Sequence, residues 1–247
     1  MTRFKAAFTH LLISTMLAGI VICLILFGWY PLPYFFSLGG SILLTLIVGI
    51  DVVLGPLMTM ILFNPAKTRR ELTLDLTLIG IVQLGALYYG IHSGYVGRMV
   101  YGVFSANSFY LVEASELAPN LLEKAAPEFR QLPFVGHRII GTIVPNTEKA
   151  KNDISFFKKI GVGPQHLPEY YVPLERNREQ IRAASLNKEV LQQRPMLVHG
   201  IEEVLDRHQL SWDDVAVVPF DVDTDTYTAV VNLREMSMLE VLRLSPR

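Results

Sequence analysis

Residues 38–63 read LGGSILLTLIVGIDVVLGPLMTMILF and are the most informative segment of this 247-residue chain. They contain a single charged side chain, that of Asp51. The hydrocarbon core of a bilayer is roughly 30 Å thick, which about 20 apolar residues cross as a helix. Because lipid offers no hydrogen bonds, the backbone must be satisfied within the segment. The segment therefore predicts a transmembrane helix with one acid near its middle.

Similar windows lie on either side of this segment. Phe8–Trp29 contains no Asp, Glu, Lys or Arg, and Leu72–His92 contains only Asp75. Both are long enough to cross a bilayer as helices. The sequence therefore predicts a membrane protein with three transmembrane α-helices, at about residues 8–29, 38–63 and 72–92.

A cleaved signal peptide is the alternative for the first window, because Arg3 and Lys5 form a short basic start. The apolar stretch exceeds the usual length of about 7–15 residues for such peptides, however, and no small-x-small cleavage site follows it. We therefore expect an uncleaved anchor.

Charge is distributed unevenly along the chain. The first 92 residues hold five of the 22 Lys and Arg residues and three of the 23 acids. This contrast predicts two domains, a membrane module at 1–92 and a charged, soluble-type domain at 93–247. The net charge of −1 argues against nucleic acid as a partner. The single cysteine, Cys23, excludes a disulfide framework.

The basic residues near the predicted spans indicate their orientation. Two precede the first span and three lie in the 64–71 loop, whereas Pro31–Ser37 carries no charge. Cytoplasmic loops are enriched in Lys and Arg. We therefore expect the N-terminus and the 64–71 loop in the cytoplasm of a Gram-negative bacterium, and the C-terminal domain in its periplasm.

Asp51 and Gln83 are predicted to meet inside the membrane. At 1.5 Å per residue, Asp51 lies about 18 Å and Gln83 about 17 Å from the cytoplasmic ends of their spans. Spans joined by a short loop are antiparallel neighbours, so the two side chains lie at one level and can pair. Pro56, directly after Gly55, is expected to kink the second helix and to free a carbonyl group nearby.

By the same count, Asp75 is level with Thr59 and close enough to the interface to reach Arg70 or water. These polar groups have two interpretations: hydrogen bonds between helices of this chain, or recognition of a partner within the membrane. Proton transport would need several aligned ionisable groups, and the two acids lie at different depths. The candidate contact residues are Asp51, Pro56, Thr59, Asp75 and Gln83.

Residues 93–247 predict an α+β domain with a partly antiparallel sheet. Expected strands cover 99–104, 109–113, 138–144, 215–220, 227–233 and 238–244, with a hairpin at 105–108. Expected helices cover 115–126, capped by Ser115, and 147–160, capped by Thr147 and ended by Gly161. Further helices are expected at 175–193 and about 200–208, and 163–173 is expected to be a loop. The mixed order of strands and helices is typical of α+β folds.

Catalytic and metal-binding patterns are weak in this domain. Asp221, Asp223 and Asp225 are spaced like the start of a calcium loop, but Thr226 and Asn232 stand where an EF-hand needs Gly and Glu. An acidic turn between strands is the favoured interpretation. No nucleophile elbow, phosphate loop or dinucleotide motif occurs. We therefore expect no catalytic residues, no metal site and no cofactor.

The membrane half carries an ordered set of short motifs: WYP at 29–31, DVVLGPLMT at 51–59, FNPAK at 63–67 and QLGALYYG at 83–90. Together they resemble the type IV pilin accessory proteins, which are encoded beside major pilin genes in Gram-negative bacteria. The resemblance covers roughly residues 8–113. The chain departs from it at Arg98-Met99, where the family usually has Arg-Pro, and at Asn107-Ser108-Phe109, where it tends to have Asp-Arg-Phe.

The resemblance implies a non-enzymatic inner-membrane factor that supports assembly, stability or dynamics of its cognate major pilin. The implied partners are the major type IV pilin, other pilus-machinery proteins and the lipid bilayer. In pilins the membrane helix carries a glutamate, to which Asp51, Gln83 or Asp75 would hydrogen-bond. The alternative is a membrane-anchored enzyme that modifies a cell-surface component, which would need convergent acids, a base or a metal site in 93–247.

Overall fold

A computed structural model describes residues 2–30, 34–159, 161–222 and 225–243 of the chain. The chain separates into two compact units, Met1–Gly97 and Arg98–Arg247. The first is helical and the second contains a seven-stranded sheet. Pro31, Asp223 and Leu244, which figured in the predicted loop, acidic turn and last strand, lie outside the described residues.

The first unit contains three long apolar helices: α1 (Arg3–Trp29), α2 (Gly40–Leu62) and α3 (Arg69–Val96). Each is long and apolar enough to cross a membrane. Two of them contain a π-helical turn, at Ile25–Trp29 in α1 and at Val48–Leu54 in α2. The helices α1 and α3 also extend beyond the apolar windows that predicted them, because their polar ends have capping residues.

The start of α3 illustrates this capping. Thr68 Oγ1 accepts a hydrogen bond from the backbone N–H of Glu71, and the Glu71 carboxylate accepts one from the backbone N–H of Thr68 at 2.8 Å. This reciprocal capping box satisfies two backbone donors that the first turn would otherwise leave free. It begins the helix at Arg69, three residues before the apolar window.

Apolar side chains occupy both the interior and the outer surface of this unit. The interior contains Ala18, Ile25, Trp29, Ile47 and Leu87, all buried. Many large apolar side chains on the outer faces are exposed, among them Phe8, Ile20, Ile42, Leu84 and Tyr88. Soluble proteins rarely expose contiguous apolar surface on this scale. The distribution is the one expected of helices surrounded by lipid.

The second unit contains a mixed sheet of seven strands in the spatial order β4-β3-β1-β2-β5-β6-β7. Strand β1 pairs antiparallel with β2 and parallel with β3, β2 pairs parallel with β5, and the outer pairs are antiparallel. The mixed pairing confirms a partly antiparallel sheet. The strands are β1 (Met99–Ser105), β2 (Ser108–Glu113), β3 (Arg138–Thr142), β4 (Tyr171–Pro173), β5 (Val215–Val222), β6 (Asp225–Asn232) and β7 (Ser237–Leu242).

Helices cover this sheet, so that every residue of the central strand β1 is buried. The longest packs against β5 and β6 through Leu197, Ile201 and Val204, which share one helical face. The helices of the second unit are α4 (Pro119–Leu122), α5 (Glu148–Lys159), α6 (Arg178–Ala184), α7 (Lys188–Gln192) and α8 (Pro195–His208).

Several local predictions for this unit are confirmed. The hairpin between β1 and β2 turns at residues 105–108, with Ala106 in the left-handed region at φ 54°. Thr147 caps α5 by accepting a hydrogen bond from the backbone N–H of Ala150 at 3.2 Å. Gly161, at φ 80°, follows this helix as predicted. Strand β3 is shorter than expected and ends at Thr142.

The helix predicted at 115–126 is wrong. Only α4 and two short 3₁₀ turns occur between 114 and 129, and Glu113 rather than Ser115 caps the first turn. The cause is Pro119, which disfavours helical backbone at the preceding residue. Ala118 is accordingly extended, with ψ at 141°, so a continuous helix through this point is excluded.

The helix predicted at 175–193 is also wrong, because it is interrupted at Ser185–Asn187. There the chain pairs with β5: Ser185 Oγ accepts from the backbone N–H of Val217, whose carbonyl accepts from Leu186. Asn187 then caps α7. The predicted loop at 163–173 contains a short edge strand, β4, and the helix expected from Gly200 already begins at Pro195.

Glu116 connects two loops of the second unit. Its carboxylate accepts a hydrogen bond from the backbone N–H of Glu113 at 2.8 Å and lies 3.3 Å from Nε2 of His166. Burial raises the pKa of this carboxyl group, but the hydrogen bonds from His166 and Glu113 outweigh that effect and leave the pKa below its ordinary value.

A lowered carboxyl pKa stabilises the folded chain above the unfolded pKa, and this stabilisation is lost as the pH falls through the folded pKa. We therefore expect Glu116→Gln to lower the unfolding temperature of the full chain in detergent at pH 7, and to lower it less as the pH falls below the ordinary pKa of a glutamate, about 4.3. Glu123→Gln, at an exposed position, serves as the control. Equal destabilisation at pH 7 and below that pKa would contradict this account.

Candidate functional site

Four polar side chains are buried among the apolar helices of the first unit: Ser14, Asp51, Thr59 and Gln83. Three of them are residues that the sequence predicted as intramembrane contacts. Polar groups in such surroundings are costly unless they find hydrogen-bond partners. The hydrogen bonds of Gln83 and Thr59, and the Asp51 carboxyl oxygen that has no partner among the described residues, define the candidate site.

Gln83 and Asp51 lie at the same level, as the helical rise predicted. The contact uses the backbone, however: Nε2 of Gln83 donates to the carbonyl oxygen of Asp51 at 3.1 Å. The side-chain pairing is therefore replaced by a bond between a glutamine of α3 and the main chain of α2. Bonds of this kind between apolar helices are worth about 0.6–1.7 kcal/mol in a membrane.

Pro56 explains why the Asp51 carbonyl is free to accept. In the π-helical turn of α2 the backbone N–H groups donate five residues back, and Gly55 donates to Ile50. In the same register, the backbone N–H of residue 56 would donate to the carbonyl oxygen of Asp51. Proline has no N–H, so this carbonyl lacks its intrahelical donor and Gln83 supplies one. The expectation of a freed carbonyl near Pro56 is confirmed.

Gly55 provides the space for this contact. A Cβ atom at Gly55 would lie 2.0 Å from Nε2 of Gln83, which is far inside van der Waals contact. Only glycine therefore allows the glutamine side chain to reach the α2 backbone at this point. The Gly55-Pro56 pair thus contributes both a free acceptor and the opening through which a donor arrives.

The carboxyl group of Asp51 is the unsatisfied member of the cluster. The side chain is 5% exposed, and its Oδ2 atom is buried with no hydrogen-bond partner among the described residues. Asp51 lines a cavity of about 160 Å³ together with His10, Ser14, Gly80 and Leu84. An acceptor without a donor in an apolar interior gains free energy from any donor that enters this cavity.

Thr59 has a partner that the sequence analysis missed. Its Oγ1 and Nδ1 of His10 share a hydrogen bond of 2.6 Å between α2 and α1. His10 stands near the start of the first helix and Thr59 near the end of the second, so the depth count used for Asp51 and Gln83 would have paired them. His10 was overlooked because only Asp, Glu, Lys and Arg were counted in that window.

Asp75 was expected to reach Arg70 or water, and the structure pairs it with Lys67 instead of Arg70. Its Oδ2 accepts a hydrogen bond from Nζ of Lys67 at 2.6 Å, and Lys67 also donates to the carbonyl oxygen of Leu62 at 3.1 Å. The lysine therefore joins the end of α2 to the second turn of α3. A cation at a helix C-terminus is favourable. The structure thus places Asp75 in a loop-ordering contact, separate from the Asp51 cavity.

A larger cavity, of about 630 Å³, lies in the second unit where β1 and β3 end. Its described walls carry amide and hydroxyl groups, including those of Thr142 and Gln180. Nδ2 of Asn177 donates to the carbonyl oxygen of Thr142 at 2.9 Å and so secures the end of β3. Among the residues that the structure describes, no group of three His, Cys, Asp or Glu side chains is arranged to hold a metal ion.

Fold and polar cluster together define a class of protein: three membrane-capable helices that enclose a buried carboxyl group, followed by an α+β unit. Comparisons identify the class more closely. The family described as Fimbrial assembly protein FimB matches residues 1–39. The fimbrial assembly protein of serogroup I from Dichelobacter nodosus is 36% identical over 183 residues, which cover 73% of this chain and 70% of that protein.

Further relatives agree with this match. The serogroup E1 protein of the same organism has the same identity and coverage. The protein of serogroups C1 and C2 is 39% identical over 121 residues, which cover 49% of this chain and 92% of that protein. No solved structure matches the chain. The chain belongs to the fimbrial assembly protein family, which confirms the resemblance to pilin accessory proteins.

The contact between Gly55 and Gln83 predicts a reversal of sign in a double-mutant cycle. In the natural chain, Gly55→Ala displaces Gln83 and is expected to lower the free energy of unfolding by about 1–3 kcal/mol, as overpacking does. In a Gln83→Ala background the clash is gone, and alanine at position 55 is expected to stabilise by up to about 1 kcal/mol through helix propensity.

The measurement is thermal or denaturant unfolding of the purified full chain in detergent. Gly19→Ala is the matched control, because a Cβ atom there meets nothing within 4 Å. Destabilisation by Gly55→Ala that is the same with and without Gln83 would show that the two residues do not interact.

Proposed function

We propose that this chain is an inner-membrane factor that supports the assembly, stability or dynamics of type IV pili. Its membership of the fimbrial assembly family, at 36% identity over 183 residues, carries the proposal. The proposed role is non-enzymatic: the chain acts by binding a pilus component before or during assembly.

The proposed topology is three crossings, with the N-terminus in the cytoplasm and residues 98–247 in the periplasm. Three observations support it: the apolar outer faces of α1 to α3, the basic residues before α1 and between α2 and α3, and the odd number of membrane-capable helices. The basic residues favour cytoplasmic loops by the positive-inside rule.

The proposed partner is the major pilin, and the proposed contact is the carboxyl group of Asp51. A pilin subunit waiting in the membrane presents one apolar helix that carries a polar side chain. The cavity beside Asp51 is large enough for a side chain but too small for a helix, so the partner helix would lie against the open side near Leu84 and insert one donor group. The unsatisfied Oδ2 atom supports this arrangement, because a donor that reaches it removes a buried unpaired acceptor.

Replacement of Asp51 tests the proposal in cells. In a strain that lacks the gene, we expect Asp51→Leu to reduce surface pili at least several-fold while the protein still accumulates, because the partner's donor would lose its acceptor. Surface pili are counted by electron microscopy and by immunoblot of sheared pilin. Val53→Leu, at an exposed neighbouring position of α2, is the control and should restore piliation fully. Normal piliation with Asp51→Leu would remove Asp51 from the proposed contact.

Photo-crosslinking tests the partner directly. A photoreactive amino acid at Leu84, which lines the cavity and is exposed, is expected to capture the major pilin in living cells. Val82 is equally suited to the reagent because it is exposed, but it faces the opposite groove between α2 and α3. Crosslinks from Leu84 that contain only this chain, or pilin crosslinks of equal yield from Val82, would contradict the proposed contact.

A further inference from the structure

A short loop of the second unit exposes two adjacent apolar side chains. Phe134 is 62% exposed and Val135 is 53% exposed, and Gly136 turns the chain directly after them at φ 73°. Their neighbour Leu132 is instead partly buried against the core under β1. Leu132 therefore packs against the core, whereas Phe134 and Val135 face outward. Exposure of two large apolar side chains to water costs free energy.

The charged side chains nearest to this pair along the chain are basic. Between Glu128 and Glu148 the ionisable side chains are Arg130, His137 and Arg138, with no acid among them. Both arginines are exposed, and each donates a hydrogen bond to a backbone carbonyl of the same region. An exposed aromatic residue within a basic loop is the pattern of surfaces that lie on anionic lipid.

The loop is held beside the point where the chain leaves α3. Nε of Arg98 donates to the carbonyl oxygen of Pro133 at 3.1 Å, and Pro133 directly precedes Phe134. Only Gly97 separates Arg98 from Val96, the last residue of α3. Two residues of chain reach about 7 Å, which is comparable with the thickness of one headgroup layer. If α3 crosses the bilayer, the two-residue covalent link to Arg98 and the hydrogen bond from Arg98 to Pro133 together keep this loop near the membrane surface.

We propose that the loop at 132–138 is a membrane-contact site, in which Phe134 and Val135 insert into the headgroup region of an anionic bilayer. Arg130 and Arg138 would lie at the level of the lipid phosphates. The site rests on the membrane insertion of α3 that the proposed function includes, and it is independent of which pilus component the chain binds. Its effect is to limit how far the second unit can move from the membrane.

Fluorescence quenching by lipid tests this site in the full chain. Cys23 is the single cysteine, so Cys23→Ser provides a background for single labelling. Phe134→Cys and Phe156→Cys are then labelled with the environment-sensitive dye NBD, and the chain is reconstituted in vesicles of phosphatidylcholine and phosphatidylglycerol. Phe156 is the matched control, because it is 63% exposed on α5 of the same unit. Ile20→Cys, at an exposed position of α1, reports insertion of the first unit.

We expect lipids with a doxyl group near the headgroup to quench the dye at position 134 by roughly half and to leave position 156 unchanged, since interfacial insertion is about 5–10 Å deep. Equal quenching at 134 and 156, whether strong or absent, would overturn the proposed site. Absence of quenching at position 20 by deeper doxyl groups would instead overturn the membrane insertion itself. Failure of the lipid contact is therefore distinguishable from failure of the proposed function.

Discussion

The contact between α2 and α3 in the membrane-capable unit depends on one missing backbone donor. Pro56 cannot donate a hydrogen bond, so the Asp51 carbonyl in the π-helical turn of α2 is left without its intrahelical partner. In an apolar interior such a group must be satisfied from elsewhere, and Gln83 of α3 does so. Gly55 leaves the room for that approach. This contact and the bonds of Lys67 to Leu62 and Asp75 link α2 to α3.

The same turn of α2 determines where the carboxyl group of Asp51 lies. With its carbonyl engaged by Gln83, the residue directs its side chain into the small cavity that it shares with His10 and Ser14. Gln83 and Thr59 thus form hydrogen bonds between helices, whereas Oδ2 of Asp51 has no partner among the described residues. Helix packing therefore accounts for Gln83 and Thr59, whereas partner recognition is the role proposed for the Asp51 carboxyl group.

The second unit is stabilised in a different way. Its sheet is stabilised by burial of apolar side chains on both faces, and polar residues such as Asn177 and Glu116 order the loops at its edges. The apolar pair Phe134 and Val135 of the 132–138 loop differs, because both side chains are more than half exposed. That exposure, and the hydrogen bond that ties the loop to Arg98, are the basis of the proposed lipid contact.

Local patterns in the sequence were sufficient to predict the three apolar helices, the hairpin at 105–108, the capped helix after Thr147 and the common level of Asp51 and Gln83, because periodicity, capping and helical rise are properties of the chain itself. The tertiary structure alone decided that Gln83 bonds a backbone carbonyl, that His10 meets Thr59, that Lys67 rather than Arg70 holds Asp75, and that pairing with β5 interrupts the helix predicted at 175–193. Each of these depends on which side chains or strands from distant parts of the sequence lie next to the segment. The sequence of a single segment does not specify those neighbours.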